Sequence, residues 1–249
     1  MTSEHTGRTI WDQRQLADPH GQPDKAVRVR AMFDGIAPTY ERVNHILSAW
    51  CDTRWRRRAV RLAKAAADDR VLDLACGTGD FARAFAEARP QTVVGCDFST
   101  PMLRLAAGRD GAAIRWCQAD AVALPFADGS FSLVSCAFGV RNFQDMPAGF
   151  REIHRLLAPG GRAVILEFSV PRSRFLGRLY LSYFHHVFPW LATLISRDRT
   201  GAYRYLPKSV SSFANAEALI ESLQTAGFAR VEHWELTIGI VTVFVAWKN

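Results

Sequence analysis

Arg70-Val71-Leu72-Asp73-Leu74-Ala75-Cys76-Gly77-Thr78-Gly79-Asp80-Phe81 is the stretch on which the fold turns. Arg70 to Ala75 is an aliphatic run of strand length, the pattern of a strand buried on both faces, and it passes through glycines into an amphipathic helix over Phe81 to Arg89. A glycine turn between strand and helix lets a ligand approach backbone N–H groups at the positive end of the helix. Gly77-x-Gly79-x-x-Ala82 satisfies the dinucleotide-loop spacing, which by itself is weak evidence.

Working outward, the unit repeats. Gln91 to Cys96 reads as a second strand ending at Asp97. Ser99 to Gly108 reads as a helix capped by Ser99 with Pro101 in its first turn, and Ala112 to Cys117 as a third strand. Ser130 to Ala137 is a fourth strand, Asp145 to Leu157 a helix stopped by Pro159-Gly160-Gly161, and Arg162 to Phe168 a fifth strand. Phe213 to Ala226 reads as a helix, followed by a closing pair of strands over Val231 to Leu236 and Ile240 to Trp247, while Arg54 to Ala67 is a helix upstream. The alternation predicts an α/β fold: a doubly wound, mostly parallel seven-stranded sheet with an N-terminal helical cap and a helical insert after strand 5. One domain is expected, with an arm and cap over 1–67, a ligand-binding core over 68–169, an insert over 170–208 and a closing helix and strand pair over 209–249.

Composition agrees with a globular chain of 249 residues, 49% hydrophobic, 22% charged and with mean hydropathy −0.04. Collagen-like, disordered and disulfide-scaffold classes are excluded. Five cysteines without a C-x-x-C pair read as reduced thiols. Met1 to His20 carries no apolar leader, so a cytoplasmic address is expected.

The acids carry the ligand chemistry. Asp73 inside the first strand would repel a pyrophosphate but can hold a cationic amino acid moiety. Asp97, ending the second strand, can accept hydrogen bonds from both hydroxyls of a ribose, and Asp120-Ala121 beyond the third can meet an adenine amine. An acid, the Gly77-Thr78-Gly79 turn and two further acids at successive strand ends fit S-adenosylmethionine better than NAD. His154 reads as a packed or surface residue, and His185-His186 lacks the partners of a metal site, so no metal is assigned.

The formal charge of +7 is concentrated: residues 170–208 hold seven Lys and Arg against one Asp. Within them Phe175 to Ile195 is nearly long enough to cross a bilayer, but Arg178, His185, His186 and Pro189 interrupt it, and a charge at mid-span costs at least ~2.5 kcal/mol. A lid or interfacial helix pair is expected, facing either a membrane surface or a second copy in a homodimer.

The chain resembles the class I S-adenosylmethionine-dependent methyltransferases, and within them the ubiquinone/menaquinone biosynthesis C-methyltransferase family. The resemblance rests on Phe33-Asp34-x-Ile36-Ala37-x-x-Tyr40-x-x-x-Asn44, Asp52-x-x-x-Arg56-Arg57, the Asp73 to Phe81 loop and Gly95-x-Asp97-Phe98-Ser99-x-x-Met102-Leu103. It continues through Ala119-Asp120-Ala121-x-x-Leu124-Pro125-Phe126, Phe138-Gly139-Val140-Arg141-Asn142-Phe143, the Leu157 to Ser169 run and Tyr203-x-Tyr205-Leu206-Pro207-x-Ser209-Val210. It implies that Thr78, Asp97 and Asp120-Ala121 contact the cofactor, and that the reaction is C-methylation of a polyprenylated quinol, either demethylmenaquinol or 2-polyprenyl-6-methoxy-1,4-benzoquinol. Ala137 stands where some members have Ser, and Lys208 where Glu is common.

That reaction needs an electron-rich ring, hence the reduced quinol and a cation beside its phenolic oxygen. Arg141, just after the fourth strand, is placed for this, and Tyr203, with Tyr40, Asn44 and Tyr205, is a candidate to close the pocket. A NAD-dependent oxidoreductase would show a Tyr-x-x-x-Lys proton donor after the fourth strand, and an RNA methyltransferase an Asn/Asp-Pro-Pro-Tyr or Cys pair. Neither is present, so no nucleic acid partner is expected; a non-catalytic binding module is separated by a cofactor titration and a methyl-transfer assay.

Overall fold

The computed structural model describes residues 10–109, 113–198 and 200–249. Its strands are β1 (Arg70–Leu74), β2 (Thr92–Asp97), β3 (Arg115–Gln118), β4 (Phe131–Ala137), β5 (Leu157–Phe168), β6 (Arg230–Leu236) and β7 (Val241–Trp247), in the order β3-β2-β1-β4-β5-β7-β6. All pairings are parallel except those of β7, which runs antiparallel between β5 and β6.

Side chains alternate across the sheet as the strand period requires. Leu72, Val134 and Ile165 face α5 (Met146–Leu156) and α9 (Ala216–Thr225), whereas Val71, Leu133 and Val164 face α2 (Cys51–Leu62) and α3 (Asp80–Ala86). Asp73 and Ser135, paired across β1 and β4, fall on the second face. Ser99 caps α4 (Thr100–Ala107) by accepting from the Met102 amide at 3.3 Å, as its position before Pro101 predicts.

Four boundaries differ from the expected ones. The helix expected over 54–67 runs from Cys51 and ends at Leu62, with Lys64 at φ 51 turning the chain out of it. The third strand begins at Arg115, and Ala112, placed in it by the sequence, lies outside the described residues. The final helix is shorter than 213–226 and starts behind Asn215, whose side chain accepts from the Ala218 amide. The fifth strand begins at Leu157, because Pro159-Gly160-Gly161 bulges out of a continuous strand: Phe131 pairs with Leu157 and Leu133 with Arg162.

A helical layer covers the C-terminal ends of the strands. It contains α1 (Lys25–Leu47) and the insert, which folds as α6 (Arg174–Ser182), a π-turn (Tyr183–Val187), α7 (Phe188–Ser196) and α8 (Ala202–Ser211). Val29, Met32, Ile36, Phe184, Phe188 and Tyr203 share one core there. Trp11 is fully buried, its ring 4.4 Å from that of Tyr205. Downstream of it the chain is clipped to the loop after β4: Lys25 Nζ donates to the Phe143 carbonyl at 2.6 Å, and the Ala26 amide to Gln144 Oε1 at 2.8 Å. Among the described residues no helix is long and apolar enough to cross a membrane.

Candidate active site

Sheet order reverses between β1 and β4, and such a switch opens a crevice at the carboxyl ends of the strands. A cleft of about 720 Å³ lies there, lined by Gly77, Asp97, Phe98, Asp120, Ala121 and Phe143 among others. Asp97 Oδ2 accepts from the Gly77 amide and Oδ1 from the Ser99 amide, each at 2.8 Å. Each oxygen keeps a lone pair for a further donor, so the pair can take a diol. Burial pushes the Asp97 carboxyl up to about 6, against those two amides. Asp120 steadies its loop by accepting from the Val122 amide at 3.1 Å.

A smaller recess adjoins the cleft, and Asp73 and Thr78 line it with Tyr40, Arg56, Gly77 and Asp80. Asp73 is fully buried, its Oδ1 accepting from Ser135 Oγ at 2.7 Å while Oδ2 has no partner. Burial raises this carboxyl to about 7. A buried acceptor without a donor is costly, and an ammonium group from a ligand relieves it. This orphaned oxygen, with the Asp97 pair and Asp120-Ala121, fits the amino acid, ribose and adenine portions of S-adenosylmethionine.

Gly79 behaves differently. It sits at φ 90 as the residue before α3, where a Cβ would come within 2.5 Å of the Trp116 ring, and it is not among the residues lining the cleft or recess. Glycine there is required by the turn and by the Trp116 ring. Gly77, at φ 56, does line both.

Beyond the cleft lies an apolar cavity of about 1220 Å³ between α1, α2, β5 and the insert. Arg141 lines it, 4% exposed. Its Nη1 donates to the Phe138 carbonyl at 2.6 Å and to Glu167 Oε1 at 2.7 Å, and its Nε has no partner. The residue therefore ties down its own loop and also presents charge to the cavity. Tyr203 and Tyr205 line the same cavity, Tyr205 donating to Asn142 Oδ1 at 2.9 Å. Burial raises the Tyr203 phenol, which keeps it a donor.

Tyr40 lines the cleft, the recess and the cavity, so the three meet at its ring. Arg56 borders recess and cavity and lies 5.5 Å above the Phe138 ring. Its guanidinium is held by Asp52 at 2.7 Å, which also accepts from Ser48 and meets His45 Nδ1 at 2.8 Å. The i, i+4 spacing of Asp52 and Arg56 was the readable signal for this pair. His154 packs its ring on Phe228. Glu41, His45 and Asp80 bring ligand atoms together, but Arg109 pairs with Glu41, and Arg83 with Asp80 at 2.8 Å.

Comparison with known proteins agrees with this arrangement. The model of the ubiE/COQ5 methyltransferase family matches residues 22–248. A demethylmenaquinone methyltransferase of Thermus thermophilus is 49% identical over 218 residues, covering 86% of this chain and 98% of that protein. The ubiquinone/menaquinone biosynthesis C-methyltransferase UbiE of Geobacter sulfurreducens is 44% identical, covering 91% and 90%. A SAM-dependent methyltransferase from Thermotoga maritima, 20% identical, shares the fold with a TM-score of 0.63 over 88% of this chain and 99% of that one. A match over nearly the whole chain, including the motifs that build the cleft and the cavity, places this protein in the ubiE/COQ5 methyltransferase family.

Proposed function

We propose that this methyltransferase uses S-adenosylmethionine to methylate a ring carbon of a polyprenylated quinol in respiratory quinone biosynthesis. The candidate rings are demethylmenaquinol and 2-polyprenyl-6-methoxy-1,4-benzoquinol. The observation that carries this is the meeting of a cleft bearing Asp97 and Asp120 with a large apolar cavity at Tyr40, where two buried guanidinium groups, Arg56 and Arg141, line the cavity. Names of the Thermus thermophilus and Geobacter sulfurreducens relatives point to the same chemistry.

S-adenosylmethionine would supply an electrophilic methyl: the ring carbon bonds to it as the C–S electrons return to sulfur, and the ring's own C–H proton is then lost, the phenolic oxygen regaining a proton as aromaticity returns. In this reading Asp73 holds the ammonium end, Asp97 the ribose hydroxyls and Asp120-Ala121 the adenine. Arg141 stabilises charge on the phenolic oxygen as its proton departs, an effect of ~1–3 kcal/mol in a site without water. Glu167, behind Arg141 and fully buried, fixes the guanidinium plane. Tyr203 donates to the head group, and the aromatic walls exclude water. The substrate's tail lies in a bilayer, so the proposal includes peripheral contact of the insert with the membrane surface.

The test incubates purified protein with S-adenosylmethionine and detergent-dispersed demethylmenaquinol or its benzoquinol counterpart, with product read by mass spectrometry. Methylation of a reduced ring and not of the oxidised quinone is expected. Failure to methylate either reduced ring overturns the reading.

A further inference from the structure

Residues Arg174 to Ser196 form one helical rod through α6, the π-turn and α7. One side of the rod enters the core through Tyr180, Phe184, Phe188 and Ala192. The opposite side is also apolar: Phe175, Leu179, Tyr183, Val187, Trp190 and Leu194, spaced by three or four residues, are all exposed. A monomeric soluble surface rarely leaves such a stripe uncovered.

Two distant turns add to it. Trp50 is 61% exposed at φ 62, between α1 and α2, and Ile238 is 73% exposed at φ 58, between β6 and β7. Left-handed backbone favours glycine, and a β-branched residue there is an outlier. Both turns border the cavity, for their neighbours Ser48, Cys51 and Thr237 line it together with Tyr183 of the rod. Trp55 Nε1, one turn into α2, donates to the Thr237 hydroxyl at 2.7 Å and ties that helix to the β6–β7 turn.

The charge around the stripe has one sign. No Asp or Glu occurs between Glu167 and Asp198. Arg174 and Arg178 are exposed and make no ion pair among the described residues, whereas Arg172 is paired with Glu235 at 2.6 Å and Glu217 at 3.5 Å. Arg199, which belongs to the same basic stretch, lies outside the described residues.

We infer that Trp50, Ile238 and the exposed stripe of the rod form a single rim around the cavity mouth that docks on an anionic lipid bilayer, Arg174 and Arg178 facing its head groups. This rests on the prenylated-quinol reading above. A tail drawn from the bilayer then enters the cavity without crossing water, and apolar side chains at the mouth seal the passage.

The experiment compares wild type with Trp50→Ser, Ile238→Ser and Arg174→Ser/Arg178→Ser by co-sedimentation with phosphatidylcholine vesicles with and without phosphatidylglycerol. Methylation is measured in parallel on a long-chain quinol in those vesicles and on a short-chain, water-soluble one. Wild type is expected to bind the anionic vesicles more tightly. Each turn variant is expected to bind roughly tenfold or more weakly and to lose turnover of the long-chain quinol, while keeping that of the soluble one. The arginine variant is expected to lose the preference for anionic lipid. Ile238→Gly, which relaxes the left-handed backbone, should bind as weakly as Ile238→Ser without a lower thermal midpoint. Unchanged binding in the turn variants overturns the inference, as does wild type binding neither vesicle or a concentration-dependent dimer in sedimentation that these variants abolish. If vesicles bind and neither quinol is methylated, the substrate reading fails and the rim stands.

Discussion

With Asp73 holding the ammonium end as proposed, cofactor affinity should depend on pH, and the sign follows from its surroundings. Burial raises the free carboxyl to about 7, so at neutral pH roughly half the molecules hold it protonated. A cationic ammonium selects the ionised form. Affinity should therefore be constant above the raised value and fall below it as the ionised fraction shrinks, by about tenfold, or 1.4 kcal/mol, for each pH unit. Binding at pH 6 should also release more than one proton per cofactor, nearly one from Asp73 and a further fraction from Asp97. Isothermal titration between pH 5.5 and 7.0, in buffers of different ionisation heat, reads both quantities below the range, near pH 8, in which the ligand's own amine titrates. Asp73→Asn keeps an acceptor for Ser135, whose hydroxyl lies 2.7 Å away, but loses the charge. It should weaken binding by ~1.5–3 kcal/mol and remove the step near pH 7, leaving only that of Asp97 near pH 6. A wild-type affinity flat over this range, or a variant that retains the pH 7 step, refutes the assignment.

Arg141→Lys retains a donor that can replace Nη1 toward Phe138 and Glu167, but loses the delocalised plane and the Nε that is left without a partner among the described residues. Turnover should fall ~10-fold or more with calorimetric cofactor affinity close to wild type, and parallel loss of both would assign Arg141 to loop architecture alone. Asp97→Ala should cost ~2–4 kcal/mol in cofactor affinity. It should also lower the thermal midpoint, since the Gly77 and Ser99 amides lose their acceptor; calorimetry and a melting curve check the two parts. Gly79→Ala should destabilise by ~1–3 kcal/mol because of its positive φ and the Trp116 ring, with the surviving folded protein binding cofactor normally. Denaturant unfolding read alongside cofactor titration separates these.

The sheet was legible because its strands are short apolar runs set between glycine turns, and periodicity reports that directly. The place of Asp97 was readable for a related reason, since it ends one of those apolar runs, whereas its acceptance of the Gly77 and Ser99 amides was not. What escaped depended on contacts between segments far apart in the chain. Gly79 matches a loop motif by its spacing, and what stayed hidden is its neighbour Trp116, placed on β3 by strand pairing that no local pattern encodes. The β5 bulge was hidden because Pro159-Gly160-Gly161 ends a helix and interrupts a strand with equal ease. Arg56 was quoted only as part of a motif, since its border position between recess and cavity exists only after α2 docks beside Tyr40. The apolar rim was half visible: the rod announced itself by composition, whereas Trp50 and Ile238 are single residues whose exposure comes from backbone angles.

The clip between α1 and the loop after β4 divides traffic through the molecule. Ala26, Phe143 and Gln144 all line the cofactor cleft, and the bonds from Lys25 and Ala26 hold them together over it. The apolar cavity opens elsewhere, beside Tyr183 and Thr237. Two ligands with separate doors need not wait for one another, so steady-state kinetics should follow a random rather than a compulsory order of addition. Release of spent cofactor should then depend on the two clip bonds, and release of a methylated product should not.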